Sequence, residues 1–325
     1  MRILTADDVR RVVPMELAVR AVAVAFAQLA RGTAQVPLRT DVAQEQYASH
    51  SFFMPALLGE SGELGMKVVS VFPHNASQGL PVIHALVVLI EAATGRPLAM
   101  LDGRYLTALR TGAASGVSAQ YMARADAQVL AIIGAGAQAA HQVEAVCAVR
   151  PIERVLIVNR GTARAEILRA TLVARGIGGD VRIATSARAA LAEADIVCCA
   201  TSSATPVFAD ADVRPGTHIS GVGSFTPAMA EVPAATIGRA RVAVDQHIAA
   251  WHEAGDLIAA RAAGLIDETR TVELGAIIAG RVPGRSTADE ITFFKSVGNA
   301  VQDVAVGHVA LAEAMRMGIG VEVGL

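Results

Sequence analysis

The 325-residue sequence predicts an α/β fold with two domains, one built on a doubly wound parallel sheet and one α+β domain with an antiparallel sheet. Three observations support this fold class. Strand and helix patterns alternate from Val129 onwards, hairpin-like strand patterns precede them, and the chain exceeds the roughly 100–200 residues typical of one domain.

The smaller domain begins with an amphipathic helix, predicted over residues 14–30 (PMELAVRAVAVAFAQLA) and ended by Gly32. Residues 64–72 and 82–90 have strand patterns, and a turn after the second leads into a third strand. These strands predict an antiparallel sheet. A long helix is expected to follow from Tyr105.

In the larger domain, short apolar strands alternate with helical segments, which implies right-handed crossovers and a parallel sheet. The predicted strands are VLAII, RVLIV, VRIAT, DIVCCA, HISGVG and RVAVD. We expect this domain to span residues 122–293 and the other to combine 1–121 with 294–325. A last long helix is predicted to begin near Asp289 and to return to the first domain.

Composition and charge limit the classes of function. The formal net charge of -2 offers no field that would attract a polyanion, so nucleic acid is not an expected partner. Cys147, Cys198 and Cys199 form no disulfide framework, which favours a reducing compartment and a cytoplasmic location. We see neither an export signal nor an apolar stretch of about 18 residues, so no membrane partner is expected.

No metal site is predicted. His247 and His252 are five positions apart on a predicted helix, without an HExxH pattern and without a third ligand.

Residues 134–139 (GAGAQA) follow a strand and open a helix, the context that the dinucleotide fingerprint GxGxxA requires. Gly134 permits a tight turn, Gly136 lets a pyrophosphate approach the backbone, and Ala139 lets helix and strand pack closely. The N–H groups of the helix then face the phosphate. The alternative is a tight strand–helix turn without a ligand. We predict a dinucleotide site in a Rossmann-type domain.

The next strand ends at Asn159 and Arg160, where an NAD-binding chain usually places an acidic residue for the ribose 2′-hydroxyl. Arg164 follows one helical turn later. Because arginine forms charge-assisted bonds to a 2′-phosphate, NADP(H) is favoured as the cofactor. Solvated arginines would also allow NAD(H).

Three polar residues of the smaller domain have apolar neighbours. Lys67 shares its strand face with two valines and so needs an anion, unless the strand lies at a sheet edge or the side chain snorkels. Arg110 borders a closely packed helix face, where a bound carboxylate, a bound phosphate or a structural salt bridge would be its partner. His84 also lies on an apolar strand face, and a hydrogen-bonded core histidine is the simpler interpretation.

Together these residues resemble the ornithine cyclodeaminase/mu-crystallin family over nearly the whole chain. The matching segments are GMKVVSVFPHN (65–75), GRPLAMLDGRYLTALRTGAAS (95–115), GAGAQA (134–139), GVGSFTPAMAEV (221–232) and FKSVGNAVQD (294–303). The resemblance implies a substrate domain made from both chain ends, a central Rossmann domain and an active site between them. It also implies a homodimer formed through the sheet of the substrate domain.

The resemblance further implies roles for individual residues. Arg39, Lys67 and Arg110 correspond to the cations that bind the α-carboxylate of the substrate. Lys67 is the expected proton donor because neighbouring cations and partial burial would lower its pKa, and His84 is the alternative. Implied cofactor contacts are Arg110, Thr111, Ala137, Gln138, Asn159, Arg160, Thr201, Val222, Gly223, Ser224 and Ser296.

Two departures from the family's cyclodeaminases bear on the reaction. Those enzymes carry a Gly-Gly-Asp-Cys-Pro run with a catalytic aspartate, whereas this chain has Phe225 at that place. Their substrate-site glutamate is also replaced, near Phe52. Without either carboxylate, ring closure with loss of ammonia lacks its acid/base and its amine anchor.

The resemblance therefore favours an NAD(P)H-dependent reductase of a cyclic imine with a 2-carboxylate. The expected substrates are Δ1-pyrroline-2-carboxylate or Δ1-piperideine-2-carboxylate, which would give proline or pipecolate. The alternatives are an L-alanine or related amino-acid dehydrogenase, an ornithine cyclodeaminase with a displaced base, and a crystallin-like protein that mainly binds ligands.

Overall fold

The computed structural model describes residues 1–324 and divides the chain into two compact units. Unit 1 combines Met1–Arg110 with the segment from Asn299 to the C-terminal end, and unit 2 comprises Thr111–Gly298. The predicted divisions at residues 121 and 294 therefore shift. The first falls inside a long helix, residues 103–122, whose early turns belong to unit 1. The second cuts through a strand, residues 292–295, that belongs to the sheet of unit 2.

The first 122 residues form seven strands and three α-helices. In chain order they are β1 (Arg2–Leu4), α1 (Ala6–Val12), α2 (Met15–Arg31), β2 (Ala34–Gln35), β3 (Thr40–Gln44), β4 (Ser49–Leu58), β5 (Glu63–Val71), β6 (Ile83–Glu91), β7 (Pro97–Asp102) and α3 (Gly103–Met122).

The following residues alternate between strands and helices. They form β8 (Val129–Ile133), α4 (Ala139–Cys147), β9 (Arg154–Val158), α5 (Thr162–Ala174), β10 (Asp180–Ile183), α6 (Ala187–Leu191), β11 (Ile196–Cys199), β12 (His218–Gly221), α7 (Ala234–Arg239), β13 (Arg241–Val244), α8 (His247–Glu253), α9 (Gly255–Ala262), β14 (Thr271–Glu273), α10 (Leu274–Ile278), β15 (Thr292–Lys295), α11 (Ala300–Met317) and β16 (Val321–Glu322).

The predicted helix from Asp289 is wrong at its start. The segment TFFK (292–295) is a fully buried strand that pairs in parallel with β12 on one side and β13 on the other. Aromatic and β-branched side chains suit this central position, so sheet pairing prevails over helical periodicity. The helix α11 begins only at Ala300, where the Asn299 side chain accepts a hydrogen bond from the Val301 amide at 3.0 Å.

The sheet of unit 1 has the order β16-β1-β7-β6-β5-β4-β2, with β3 also paired to β4. Neighbouring strands are antiparallel except β1 and β7. Helix α11 packs closely on one face, because an added Cβ on Gly65 would lie 3.2 Å from Val304 and one on Gly307 would lie 3.1 Å from Leu89. We call this the inner face of the sheet and the opposite one the outer face.

Helices α1 and α2 are the only part of residues 1–324 that meets a length and composition test for crossing a membrane. They meet it only as a pair, bent by 89° at the break, and no single described helix meets it.

Unit 2 contains an eight-stranded sheet in the order β10-β9-β8-β11-β12-β15-β13-β14, with every neighbouring pair parallel. Successive residues of β8 enter two separate cores, one on each face: Leu130 and Ile132 join one, Ala131 and Ile133 the other. The predicted doubly wound sheet is therefore confirmed. The strand order reverses its direction of growth between β8 and β11, which is where such sheets bind ligands.

Candidate active site

The turn after β8 has the geometry that a dinucleotide site needs. Gly134 has φ +104°, and a Cβ there would lie 2.5 Å from the Ala200 carbonyl oxygen at the end of β11. A Cβ on Gly136 would meet no atom within 4 Å, so the backbone faces open space at this position. Ala139 is fully buried at the start of α4, where a larger side chain would separate helix and strand.

The same turn leaves polar groups available to a ligand. Gly136 and Ala137 are exposed, and the buried Oε1 atom of Gln138 accepts no hydrogen bond from any described residue. The N-terminus of α4 lies beside them and carries a partial positive charge, while the Ala139 amide itself donates to the Gly136 carbonyl at 3.1 Å. This arrangement fits the pyrophosphate of a dinucleotide.

Asn159 stabilises the turn from the end of β9. Its Oδ1 atom accepts a hydrogen bond from the Ala135 amide at 3.1 Å, and its Nδ2 atom donates one to the Gly161 carbonyl at 2.8 Å. Its side chain is thus used within the protein. Arg160 and Arg164 are exposed, so the guanidinium groups of both residues are accessible to a ligand.

The other predicted cofactor contacts of unit 2 lie at the carboxyl ends of β11, β12 and β15. Ser224 is fully buried and its hydroxyl donates to the Met229 carbonyl at 2.8 Å, which directs this side chain into the protein. Ser296 is also buried, and its hydroxyl donates to Asp245 at 2.9 Å. Thr201, Val222 and Gly223 lie at the same strand ends, and Thr201 alone among them is more than slightly accessible. Thr111 lies instead on α3, where it is buried.

A cluster of buried charges lies on the inner face of the unit 1 sheet. Asp303 of α11 accepts from the Lys67 ammonium at 2.8 Å and from Nε of Arg110 at 3.1 Å. The Gln302 Oε1 atom accepts from Nη1 of Arg110 at 2.5 Å. Lys67 is 2% exposed, Arg110 5% and Asp303 not at all. Two cations thus share one carboxylate, and among residues 1–324 no second carboxylate is paired with Lys67 or Arg110.

The position of Lys67 excludes the edge-strand alternative. Its strand β5 is paired on both sides, with Met54 of β4 and Val87 of β6 opposite Lys67 in the register. The pKa of Lys67 is lowered to about 8, first by burial and then by the charges of Arg110 and Arg39, while Asp303 opposes the shift. A lysine with such a pKa can donate a proton near neutral pH.

Arg39 belongs to the same surroundings. Its guanidinium carbon lies 5.7 Å from the ring centroid of Phe52, and Phe52 pairs with Val69 on the face that also carries Lys67. The aromatic ring of Phe52 therefore lies on the inner face of the sheet, as the charge cluster does. The position near which the resemblance expects the glutamate of a cyclodeaminase is thus occupied by an apolar ring.

His84 is not part of this cluster. It lies three residues from Val87, the residue opposite Lys67, so its side chain points to the outer face of the sheet. There it is exposed and lines a depression with Ser70, Asp102 and Arg104. Both interpretations of His84 are wrong, because it is neither a core histidine nor placed to donate a proton beside Lys67.

Sequence reasoning missed Asp303 and Gln302, the two residues that hold the cations. Both lie inside a segment that resembles the family, but neither was given a role. A signal existed: Asp303 lies on a helix face with Ala300, Gly307 and Ala310, all small and buried. An acid among such residues requires a cation. Glu231 and Asp245 of unit 2 were missed in the same way.

Phe225, which the resemblance aligns with the catalytic aspartate of the cyclodeaminases, is 47% exposed. Within residues 1–324 no group of three or more His, Cys, Asp or Glu side chains is arranged to hold a metal ion.

Comparison with protein families matches residues 1–316 to the model of the ornithine cyclodeaminase/mu-crystallin family. A Δ1-pyrroline-2-carboxylate reductase from Bacillus cereus is 38% identical over 322 residues, covering 98% of both chains. An alanine dehydrogenase from Archaeoglobus fulgidus is 36% identical over 319 residues, covering 98% of this chain and 96% of the relative.

A solved structure is similar over the same length. The Δ1-pyrroline-2-carboxylate reductase of Thermococcus litoralis, determined in complex with NADH and L-proline, has a TM-score of 0.94 and 37% identity. The match covers 99% of this chain and 100% of that one.

Proposed function

This chain belongs to the ornithine cyclodeaminase/mu-crystallin family, and we propose that it catalyses the NAD(P)H-dependent reduction of a cyclic imine that carries a 2-carboxylate. Δ1-Pyrroline-2-carboxylate and Δ1-piperideine-2-carboxylate are the proposed substrates. The reaction is an oxidoreduction at a carbon–nitrogen bond, as in the reductases and dehydrogenases to which the chain is similar.

The observation that carries the proposal is the uncompensated positive charge of the cluster of Lys67, Arg110 and Asp303. A buried cation without a counterion is costly, so the cluster favours an anionic ligand. A substrate with a single carboxylate supplies one negative charge, and Arg39 adds a further cation beside Phe52. The ring of the substrate would contact the apolar side of Phe52.

In the proposed mechanism the Lys67 ammonium gives its proton to the imine nitrogen, which makes the imine carbon electrophilic. The carboxylate held by Arg110 and Arg39 fixes the face that this carbon presents. The Gly134–Ala139 turn would hold a nicotinamide dinucleotide, whose chemistry in this site would be hydride donation. Lys67 then regains a proton from solvent, and its contact with Asp303 keeps the amine oriented for the next cycle.

The absence of an aspartate at position 225 supports reduction over ammonia elimination. Phe225 provides no group that could take a proton from an amine or activate water. The NADH in the Thermococcus structure supports a nicotinamide cofactor. The exposed Arg160 and Arg164 favour the 2′-phosphate form, so we propose NADP(H) as the preferred cofactor and NAD(H) as a second one.

The proposal is tested by following reduced-nicotinamide absorbance with NADPH and NADH in parallel. The substrates are both cyclic imines, pyruvate with ammonia, and ornithine with NAD. We expect rapid oxidation with a cyclic imine and faster turnover with NADPH. Rapid turnover of pyruvate and ammonia alone would favour alanine dehydrogenation. Release of ammonia from ornithine without net change in the cofactor would contradict the proposal.

We also propose a homodimer formed through the outer face of the unit 1 sheet. Four adjacent strands present apolar side chains there, each with part of its surface still accessible: Phe53, Leu57, Leu64, Met66, Val68, Leu86, Val88, Ile90 and Met100. A continuous apolar sheet face of this kind typically marks a protein interface. A second copy of the same face would complement it.

A further inference from the structure

Glu231 connects two loops at the carboxyl edge of the parallel sheet. Its Oε1 atom accepts from the Thr201 amide at 2.6 Å and from the Thr201 hydroxyl at 2.8 Å. Its Oε2 atom accepts from the amides of Gly223 at 2.7 Å and Ser224 at 3.2 Å. Thr201 follows β11 and Gly223 follows β12, so one carboxylate holds the loops that follow two adjacent strands.

We propose that Glu231 is a positioning residue for the nicotinamide half of the dinucleotide, acting through the loops at Thr201 and Gly223. This inference rests on the proposed function, because it requires that a dinucleotide binds to unit 2. It adds a residue to which neither the sequence motifs nor the family resemblance gave a role.

The strand order assigns the two halves of the ligand. The reversal between β8 and β11 divides the sheet into a half with β8, β9 and β10 and a half with β11, β12 and β15. The Gly-rich turn and the ribose 2′ position belong to the first half, which therefore binds the adenosine portion. The nicotinamide portion then lies over β11 and β12, where the loops held by Glu231 begin.

The loops are held with little freedom. A Cβ on Gly223 would lie 2.1 Å from the Thr201 carbonyl oxygen and 2.5 Å from Oε1 of Glu231. Glu231 itself is fully buried, and its own amide donates to Asp256 at 2.6 Å. The backbone at these strand ends is thus prearranged before any ligand arrives, which reduces the entropy lost on binding.

A buried cation compensates the carboxylates. Lys295, at the end of β15, is fully buried, pairs with Asp256 at 3.2 Å and donates to the Gly221 carbonyl at 3.1 Å. A buried carboxylate of this kind is retained only where other groups satisfy it. The network therefore joins the ends of β11, β12 and β15, which are the strands of the proposed nicotinamide half.

The test compares the affinity for the complete dinucleotide with the affinity for its adenosine portion alone. The dissociation constants of NADPH, NADH and 2′,5′-ADP are measured by calorimetry for the unmodified protein and for Glu231→Gln. We expect the variant to bind NADPH and NADH about tenfold more weakly, which corresponds to one charged hydrogen-bonding group. The affinity for 2′,5′-ADP should stay within about twofold of the original value.

Asp195→Asn is the matched control. Asp195 accepts from the amides of Gln128 and Val129 at 2.9 and 3.1 Å, at the amino ends of β8 and β11. Its loss removes a comparable carboxylate from the opposite edge of the same sheet. We expect this control to lose stability without changing the ratio of NADPH affinity to 2′,5′-ADP affinity.

Several outcomes would overturn the inference. If Glu231→Gln binds NADPH and 2′,5′-ADP more weakly by the same factor, or binds both as tightly as the original protein, the role of Glu231 is merely structural. If Glu231→Gln does not fold, Glu231→Asp keeps the charge but is too short to reach both loops, and the same ratio is measured. Failure of both variants to fold, while Asp195→Asn folds, would also make the role structural.

The proposed function fails in a different way. In that case the unmodified protein binds the dinucleotides but reduces no cyclic imine, while the effect of Glu231 on binding still holds. If the unmodified protein binds neither NADPH nor NADH, both proposals are wrong.

Discussion

At the scale of single residues, the arrangement of one acid between two bases explains how a lysine remains buried. The strand pattern alone places Lys67 among aliphatic side chains, as the structure confirms, but it does not identify the partner. Asp303 lies 236 positions further along the chain, and local periodicity carries no information about such a contact. Sequence reasoning thus found the cations, and the structure was needed to find the anion.

Replacing Lys67 tests the proton donor. In Lys67→Met the imine nitrogen has no acid beside it, so kcat for cyclic imine reduction should fall by roughly 10²–10⁴-fold. Steady-state rates with saturating NADPH measure this effect. A variant with near-normal turnover would show that another group protonates the substrate.

Replacing Asp303 tests how the pKa of Lys67 is controlled. Burial, Arg110 and Arg39 lower this pKa to about 8, and only Asp303 raises it. Reduction requires the protonated form, so kcat/KM should decrease as pH rises through the pKa of Lys67. In Asp303→Asn that decrease should begin on the order of one pH unit lower, because the opposing charge is lost.

Gln302→Met is the matched control for that experiment. Gln302 contacts Arg110 and leaves the carboxylate beside Lys67 in place. We expect this variant to raise KM for the imine without moving the pH dependence of kcat/KM. A pH profile of Asp303→Asn that matches the original would contradict the role given to Asp303.

At the scale of elements, regular alternation was predictable and short or isolated strands were not. The strands β8 to β13 were found because short apolar runs between helical segments are typical of buried parallel strands. The strands β1 to β4 were missed, since β4 contains a proline and β3 is exposed and polar. The strand β15 was misread as helix because its pairing partners lie far away in the sequence.

The turn after β8 offers a contrast between two glycines. In Gly134→Ala the added methyl group would meet the Ala200 carbonyl at a residue with φ +104°, so stability should fall by roughly 1–3 kcal/mol. In Gly136→Ala the methyl group meets no protein atom, so the melting temperature should stay close to the original.

Both glycine variants should bind NADPH more weakly, but for different reasons. In Gly136→Ala the methyl group occupies space that the pyrophosphate needs, whereas Gly134→Ala distorts the turn itself. Thermal unfolding and calorimetric titration separate the two effects. An unchanged NADPH affinity in Gly136→Ala would argue against a pyrophosphate at this turn.

At the scale of the whole molecule, a buried histidine should make the free energy of unfolding decrease as the pH falls. His218 is fully buried in β12, with its ring nitrogens 2.9 Å from the Thr292 hydroxyl and 3.1 Å from that of Ser118. Burial, followed by the charges of Arg285 and Arg150, lowers its pKa to about 3. The unfolded chain accepts the proton near the ordinary value of about 6.5.

The contribution of His218 to stability is therefore complete above about pH 6.5 and is lost as the pH falls toward 3. The loss should approach about 1.4 kcal/mol per pH unit within this range. Urea unfolding at pH 7 and pH 5 measures it. In His218→Asn the free energy of unfolding should differ less between pH 7 and pH 5 than in the original protein. An equal difference in the two proteins would exclude His218 as the source of the pH dependence.

The proposed dimer is tested by placing a charge on the outer face of the unit 1 sheet. Met66→Glu puts a carboxylate among the apolar side chains, so it should give a monomer by light scattering. Ile167→Glu is the control, because Ile167 is 67% exposed on α5 of unit 2. A monomeric parent protein, or a Met66→Glu variant that stays dimeric, would contradict the proposed interface.

The burial of Lys67 and Lys295 has a consequence for how this protein can be observed and modified. They are the only two lysines in the sequence, while the other basic side chains apart from histidine are all arginine. Amine-directed labels therefore find no accessible side-chain amine in the folded state. Isotopic labelling of lysine should give two side-chain ammonium resonances, one from Lys67 in unit 1 and one from Lys295 in unit 2. The protonation and local opening of each unit can therefore be followed separately.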